Sequence, residues 1–199
     1  MLGLTKSENM IASVHPSDLL SLKAFQEFGA EAVVENQSVV EKSDVVFVSV
    51  KPGVVSTALS DVRSISAGKL FVSIAMGITI SDIERVRRLF YNFKRKRKIS
   101  NFNPIKILSQ DSRVIRVMPN TTCLVQAGAS VFVRGSKATD SDAQLIQSLF
   151  EAIGTCEEVT EGLMDPITAL SGSGPAYVNQ FRKLNQVHLI NLFSFRYLC

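Results

Sequence analysis

Short runs of β-branched and apolar residues, each halted by turn-forming residues, constrain this chain more than any other feature. Ser43 to Val50 (SDVVFVSV) stops at Lys51-Pro52-Gly53, and Leu70 to Ala75 (LFVSIA) stops just before Gly77. Val114 to Met118 (VIRVM) stops at Pro119-Asn120, Ala129 to Val133 (ASVFV) stops before Gly135, and Met10 to Val14 supplies a fifth run. Strands this short and this apolar fit a parallel sheet buried on both faces. Amphipathic segments alternate with them. Ser17 to Phe28 carries Leu19, Leu20, Leu22, Ala24, Phe25 and Phe28, with Gly29 placed to close a helix. Ser81-Asp82-Ile83-Glu84 predicts a capping box at a helix start. Thr139 to Ile153 repeats apolar residues at three- and four-residue spacing, and Leu163 to Leu170 reads as helical. The β, α, β, α order predicts an α/β fold, a mostly parallel sheet with flanking helices.

At 199 residues and 46% apolar the chain can bury a real core in one domain, or two at most. No apolar run approaches the roughly 18 residues a membrane span needs. Cys123, Cys156 and Cys199 are far apart and form no CxxC pair, which argues against a disulfide framework or a zinc site and for a reducing compartment. Met1 to Met10 has no secretory or organellar pattern, so a cytoplasmic location is expected. The formal charge of +4 and a pI near 9.0 invite a nucleic-acid partner. Six of the positive charges, Lys94 to Lys98 and Lys106, fall in the acid-free stretch Tyr91 to Gln110, and without them the remainder is −2. Basicity confined to one loop disfavours nucleic acid as a partner. The alternative is a non-catalytic interaction or nucleic-acid-binding protein using Lys94 to Lys98, with Phe90, Tyr91, Phe93 and Phe102 as stacking faces.

In such a fold ligands bind beyond the carboxyl ends of the strands. Those ends read Val14-His15-Pro16, Lys51-Pro52-Gly53, Ala75-Met76-Gly77 and Pro119-Asn120-Thr121. A dinucleotide fold opens with GxGxxG after its first strand, but Met1 to Asn9 holds only Gly3. Either no dinucleotide is bound or the first βα unit lies outside this sequence. Ser13-Val14-His15-Pro16-Ser17 has no acid before Asp18, which suits the 2′-phosphate of NADP better than a carboxylate would. Asp18 and Ser17 serve equally as helix caps. Ser171-Gly172-Ser173-Gly174-Pro175 could form an anion nest or a linker, and the absence of a following Lys-Ser or Lys-Thr excludes a Walker loop. There is no HExxH, GxSxG or Cys/His cluster, so no metal site is expected.

Taken together, MIASVHPSDLLSLKAFQEFGAEAV, SDVVFVSVKP, SIAMGITISDIE, RVIRVMPNTT, GASVFVRG and DPITALSGSGPAYV resemble pyrroline-5-carboxylate reductase, of the plant type, over Met10 to Arg88 and Asp111 to Val178. The resemblance implies an NADPH-dependent oxidoreductase, with NADH possible, that reduces 1-pyrroline-5-carboxylate to proline in proline biosynthesis. It implies a Rossmann-like cofactor domain over 1–165 without the first strand and glycine loop. Residues 166–178 would open a helical domain that builds homo-oligomers, its oligomerising helices missing here. The segments 91–110 and 179–199 stand outside the pattern as an insertion and a tail. Truncated in this way at both ends, the chain is expected to be inactive alone. By position the resemblance places Ser13 and His15 near the adenosine phosphate and Asn36 near the adenosine. It places Val50, Lys51 and Pro52 along the cofactor, Ala75, Met76 and Gly77 near the nicotinamide ribose, and Asn120 near the nicotinamide. It names no catalytic residue.

Overall fold

The computed structural model describes residues 4–84 and 107–176. The basic run Lys94 to Lys98, most of the expected insertion and the expected tail lie outside the described residues. In chain order the elements are β1 (Ile11–Ser13), α1 (Leu19–Phe28), β2 (Glu31–Val33), α2 (Asn36–Lys42), β3 (Val45–Val48), α3 (Pro52–Ser60), β4 (Leu70–Ser73) and α4 (Ile80–Glu84). Then follow β5 (Arg113–Met118), β6 (Gly128–Arg134), α5 (Asp140–Glu151), β7 (Gly154–Glu158) and α6 (Glu161–Ile167), which runs into a π-type turn, Thr168–Gly172. β1 and β2 pair in parallel as one small sheet, and the others form a second sheet in the order β3-β4-β5-β6-β7. Among the described strands only β5 and β6 pair antiparallel, Ile115 facing Arg134 and Met118 facing Val131. The expected mostly parallel α/β architecture is present.

Helix starts follow from local chemistry. Asp18 caps α1, its Oδ1 accepting from the Ser21 N–H at 3.0 Å and its Oδ2 from the Ser21 hydroxyl at 2.7 Å. These bonds hold the Asp18 carboxyl below its ordinary pKa. The capping box expected at Ser81 and Glu84 is instead Thr79 with Asp82. Asp82 Oδ2 accepts from the Thr79 N–H at 3.1 Å, and Thr79 Oγ1 accepts from the Asp82 N–H at 3.1 Å. The register shifts because Ile80 and Ile83 must both reach the core, and Glu84 accepts from the Ser136 N–H at 2.6 Å instead. A second box of the same type, Thr139 with Asp142, opens α5.

Two cores flank the large sheet. Val46, Val48, Phe71, Val114 and Val133 face α3, α4 and α6, packing with Val55, Leu59, Ile83 and Met164. On the other face Leu70, Val72, Ile115, Val117 and Phe132 pack with Ala143, Ile146 and Phe150 of α5. β4 is buried on both faces, as expected, but β3 is buried on one only, and Phe47 stays 47% exposed. Pleating sends Phe47 to the face opposite Val46 and Val48. The apolar residues of α1 behave similarly: none is buried, and Leu20 is 85% exposed. Ile107 and Leu108 are fully in the core, and the Ser109 N–H donates to Ser66 Oγ at 2.9 Å. The stretch expected to be an insertion up to Gln110 therefore ends in residues the fold needs. Gly154 is confined to glycine twice over, by its φ of 154° and because a side chain there would strike the Gly128 backbone.

Asp142 joins α5 to the sheet as well as capping it. Its Oδ1 pairs with Arg113 Nη1 at 2.6 Å and its Oδ2 accepts from the Thr139 N–H at 2.8 Å. Burial alone would push this carboxyl up, but Thr139 and the Arg113 guanidinium outweigh it and leave the net shift downward. A depressed carboxyl contributes stability that is complete above its unfolded value of about 3.9 and disappears as pH falls through the lower folded value. Asp142→Asn is expected to cost about 1–3 kcal/mol near neutral pH and progressively less below about pH 4, as urea denaturation at several pH values will measure.

Among residues 4–42 only Ala30 and Val40 are buried apolar residues. Local opening there costs little. Amide hydrogen exchange is therefore expected to be at least about a hundredfold faster in β1 and β2 than in β4 and β5; equal protection in the two sheets would contradict this.

Candidate functional site

Three of the expected ligand-facing turns stand side by side. β3, β4 and β5 are parallel neighbours, Val48 aligned with Ser73 and Ser73 with Arg116, so the turns after them share one edge of the sheet. Strands spaced by about 4.8 Å put the β3 and β5 ends about 10 Å apart. After β3, Val50, Lys51 and Pro52 are exposed, Lys51 in the N-cap position of α3 and Pro52 in its first turn, where its fixed φ suits the helix. After β4, Ala75 is buried while Met76 and Gly77 are open to solvent, Gly77 with φ 74°. That left-handed turn brings bare backbone to the surface where a ligand can approach.

Asn120, after β5, is more heavily used than the sequence suggests. Its Oδ1 accepts from the Thr122 hydroxyl at 2.6 Å and from the Ala129 N–H at 3.1 Å, tying the loop Thr121–Val125 to the start of β6. Its Nδ2 donates to Ser171 Oγ at 3.5 Å, leaving a second N–H for a ligand. Ser171, fifty-one residues along the chain, is a candidate site residue that sequence spacing did not connect to Asn120.

Ser13, His15 and Asn36 gather at the carboxyl end of β1, in the small sheet. The Ser13 hydroxyl donates to Asn36 Oδ1 at 2.7 Å, joining the end of β1 to the first residue of α2. His15 Nδ1 lies 2.7 Å from Ser17 Oγ, leaving Nε2 turned to solvent. Asp18, three residues after His15, commits both oxygens to Ser21. The 3-10 turn Ser7–Asn9 leads into β1, and no glycine-rich turn joins a strand to a helix ahead of it among the described residues.

Other chemistry finds little footing among the described residues. No group of three or more His, Cys, Asp or Glu side chains is placed to hold a metal, and no helix is long and apolar enough to cross a membrane. Burial, helped by Glu151 and Glu157, pushes the Cys156 thiol up to about 11, so it stays protonated at neutral pH. An open polar cleft of about 710 Å³ lies between Ser60, Arg63, Ser64, Ser109, Gln110 and Asp111. It sits at the amino ends of β4 and β5, away from the ligand-facing edge.

An open, mostly parallel α/β sheet presenting three adjacent strand ends has the architecture of a dinucleotide-binding domain. A family model described as "NADP oxidoreductase coenzyme F420-dependent" matches residues 1–77. Sequence similarity narrows this further: over most of its length the chain is similar to the pyrroline-5-carboxylate reductases. It is 36% identical over 176 residues to pyrroline-5-carboxylate reductase 2 of Pongo abelii, covering 88% of this chain and 49% of that protein. It is 35% identical over 177 residues to the Arabidopsis thaliana enzyme, covering 88% of this chain and 56% of that protein. The chain thus spans about half the length of these relatives. The solved pyrroline-5-carboxylate reductase of Coxiella burnetii superposes with a TM-score of 0.74 at 27% identity, covering 92% of this chain and 60% of that one. The NADP-bound Plasmodium falciparum pyrroline carboxylate reductase gives 0.73 at 23% identity, covering 96% and 62%, which supports the fold.

Because both acceptor bonds to Asn120 are internal, Asn120→Ala is expected to cost about 1–3 kcal/mol of stability in addition to any effect on ligands. Asn120→Asp, which keeps the acceptor, is expected to lose less than half of that in thermal denaturation.

Proposed function

We propose that this chain carries cofactor-binding surface for the NADPH-dependent reduction of 1-pyrroline-5-carboxylate to L-proline. The observation that carries the reading is the alignment of Val50 to Pro52, Ala75 to Gly77 and Asn120 along one edge of three adjacent strands. The residues fit the cofactor. Asp18 is turned onto Ser21, while the Ser13 and Ser17 hydroxyls and the His15 ring stand at the end of β1 and suit a 2′-phosphate. Ser13, His15 and Asn36 would hold the adenosine end. Val50, Lys51 and Pro52 would line the path to the nicotinamide, and Ala75, Met76, Gly77 and Asn120 would flank the ribose and ring.

Bound NADPH supplies a hydride to the carbon of a C=N bond. The protein's share is placement: the Gly77 turn lets backbone approach closely, and the free Asn120 N–H can orient an acceptor. The same reading includes a cytoplasmic setting, consistent with free thiols at Cys123 and Cys156, and assembly into homo-oligomers.

NADPH is expected to bind at least about tenfold more tightly than NADH, and Ser13→Ala with His15→Ala is expected to remove most of that difference without weakening NADH, by nicotinamide fluorescence titration. No binding of either nucleotide to the folded chain would overturn the reading. With no glycine-rich turn for the pyrophosphate among the described residues, the 199-residue chain alone is expected to form no proline from 1-pyrroline-5-carboxylate. Turnover abolished by Lys51→Ala would refute that second expectation.

A further inference from the structure

Strand β5 and the turn after it grip the segment around α6 at three alternate residues, Arg116, Met118 and Asn120. Arg116 Nη1 pairs with Glu161 Oε1 at 2.6 Å and its Nη2 with Asp165 Oδ1 at 3.3 Å. Two residues on, the Met118 methyl lies 2.6 Å from where a Cβ on Gly172 would stand, so glycine lets the turn settle on that methionine. Two residues further, Asn120 meets Ser171.

The gripped segment has weak internal means of fixing its own shape. α6 is seven residues long and contains Pro166, which cannot donate to the carbonyl of Gly162. The helix loosens at once into the π-type turn Thr168–Gly172, retaining a bond from the Thr168 hydroxyl to the Met164 carbonyl at 2.6 Å. The height of Ser171 to Gly174 above the strand ends is therefore set from outside.

Arg116 is suited to that task and poorly suited to simple stabilisation. Its side chain is 3% exposed and sits between Val114 and Met118 on the core face of β5, where an unpaired cation would be very costly. Its planar fork reaches carboxylates one helical turn apart, which fixes both distance and rotation. Glu161 Oε2 is buried with no hydrogen-bond partner among the described residues, so the pair gives up hydrogen bonding while keeping this geometry.

We propose that Arg116 is a positioning residue: through Glu161 and Asp165 it holds the Ser171 to Gly174 turn over Asn120, on the substrate side of the cofactor edge. The assignment of that side rests on the function proposed above. The mechanical part, an arginine on β5 that sets the turn, stands apart from it.

Hydrogen exchange on the 199-residue chain tests both parts, with Arg116→Lys, which keeps the charge but not the fork, and Asp165→Asn, which changes an exposed side chain. Both variants are expected to raise exchange across Thr168 to Gly174 by about tenfold or more while β4, β5 and α5 keep wild-type protection. Unchanged exchange in that turn, or loosening spread evenly through the sheet, overturns the proposal. If Arg116→Lys fails to fold, Asp165→Asn and Glu161→Gln decide by the same readout.

Saturating NADPH adds the functional arm. In the wild type it is expected to slow exchange at Ser171 to Gly174. In Arg116→Lys, NADPH is expected to bind within about threefold of wild type yet no longer slow that turn. A merely structural arginine would leave this ligand response intact, and that result counts against the proposal. If the wild-type chain binds no NADPH, the proposed function fails, while the ligand-free comparison still decides whether Arg116 positions the turn.

Discussion

Two arginines on opposite faces of β5 hold the layers of this fold to a single strand. Arg113 reaches α5 through Asp142, and Arg116, three residues on and therefore on the other face, reaches α6 through Glu161. β5 is also where parallel pairing gives way to antiparallel, since it joins β4 on one side and β6 on the other. Neither arginine is an economical source of stability, because a buried ion pair gives back much of its Coulomb energy in lost hydration. What the pairs supply is register: helices that could slide over apolar residues are pinned by charged groups with one satisfactory arrangement.

The site inherits its geometry from that strand. Parallel pairing brings the turns after β3, β4 and β5 to one edge. Asn120 then ties the end of β5 to the start of β6 and to the Ser171 turn. The β1 end is a separate platform, linked to α2 by Ser13 and Asn36. The division suits a long ligand touched at its two ends by different pieces of chain.

Elements with strong periodicity were legible in the sequence. Leu70 to Ser73 and Val114 to Val117 are apolar enough to mark buried strands, and Ile146 and Phe150 mark the core face of α5. β2 and β7 were not legible: Glu31–Val33 is too short, and Gly154–Glu158 carries two glutamates. β7 forms because its backbone pairs with β6 and Glu158 meets Arg134 across the strands at 2.6 Å. α3 reads as a turn, since Lys51-Pro52-Gly53 signals a stop and the helix takes that proline into its own first turn. Pattern also overstated burial: Phe47 and the leucines of α1 are apolar where the fold leaves them open. The strand-end residues could be singled out as candidates because parallel topology brings those ends to one edge. Ser171, Glu161 and Arg116 could not, because their contacts join residues some fifty positions apart.

The mixed pairing of β5 bears on how the chain assembles. Met118 and Gly128 bracket a short connection, so β5 and β6 can meet by closing a small loop, and β6, α5 and β7 follow as one contiguous unit. Joining β4 to β5 means closing a connection about four times longer, an added entropy of about 1.2 kcal/mol at two doublings of length. The antiparallel turn thus makes the stretch from Arg113 to Glu158 the least expensive part to organise first. On closure entropy alone β4 and β3 would join an edge that β5 already presents, and the row of three strand ends would be complete only after they do.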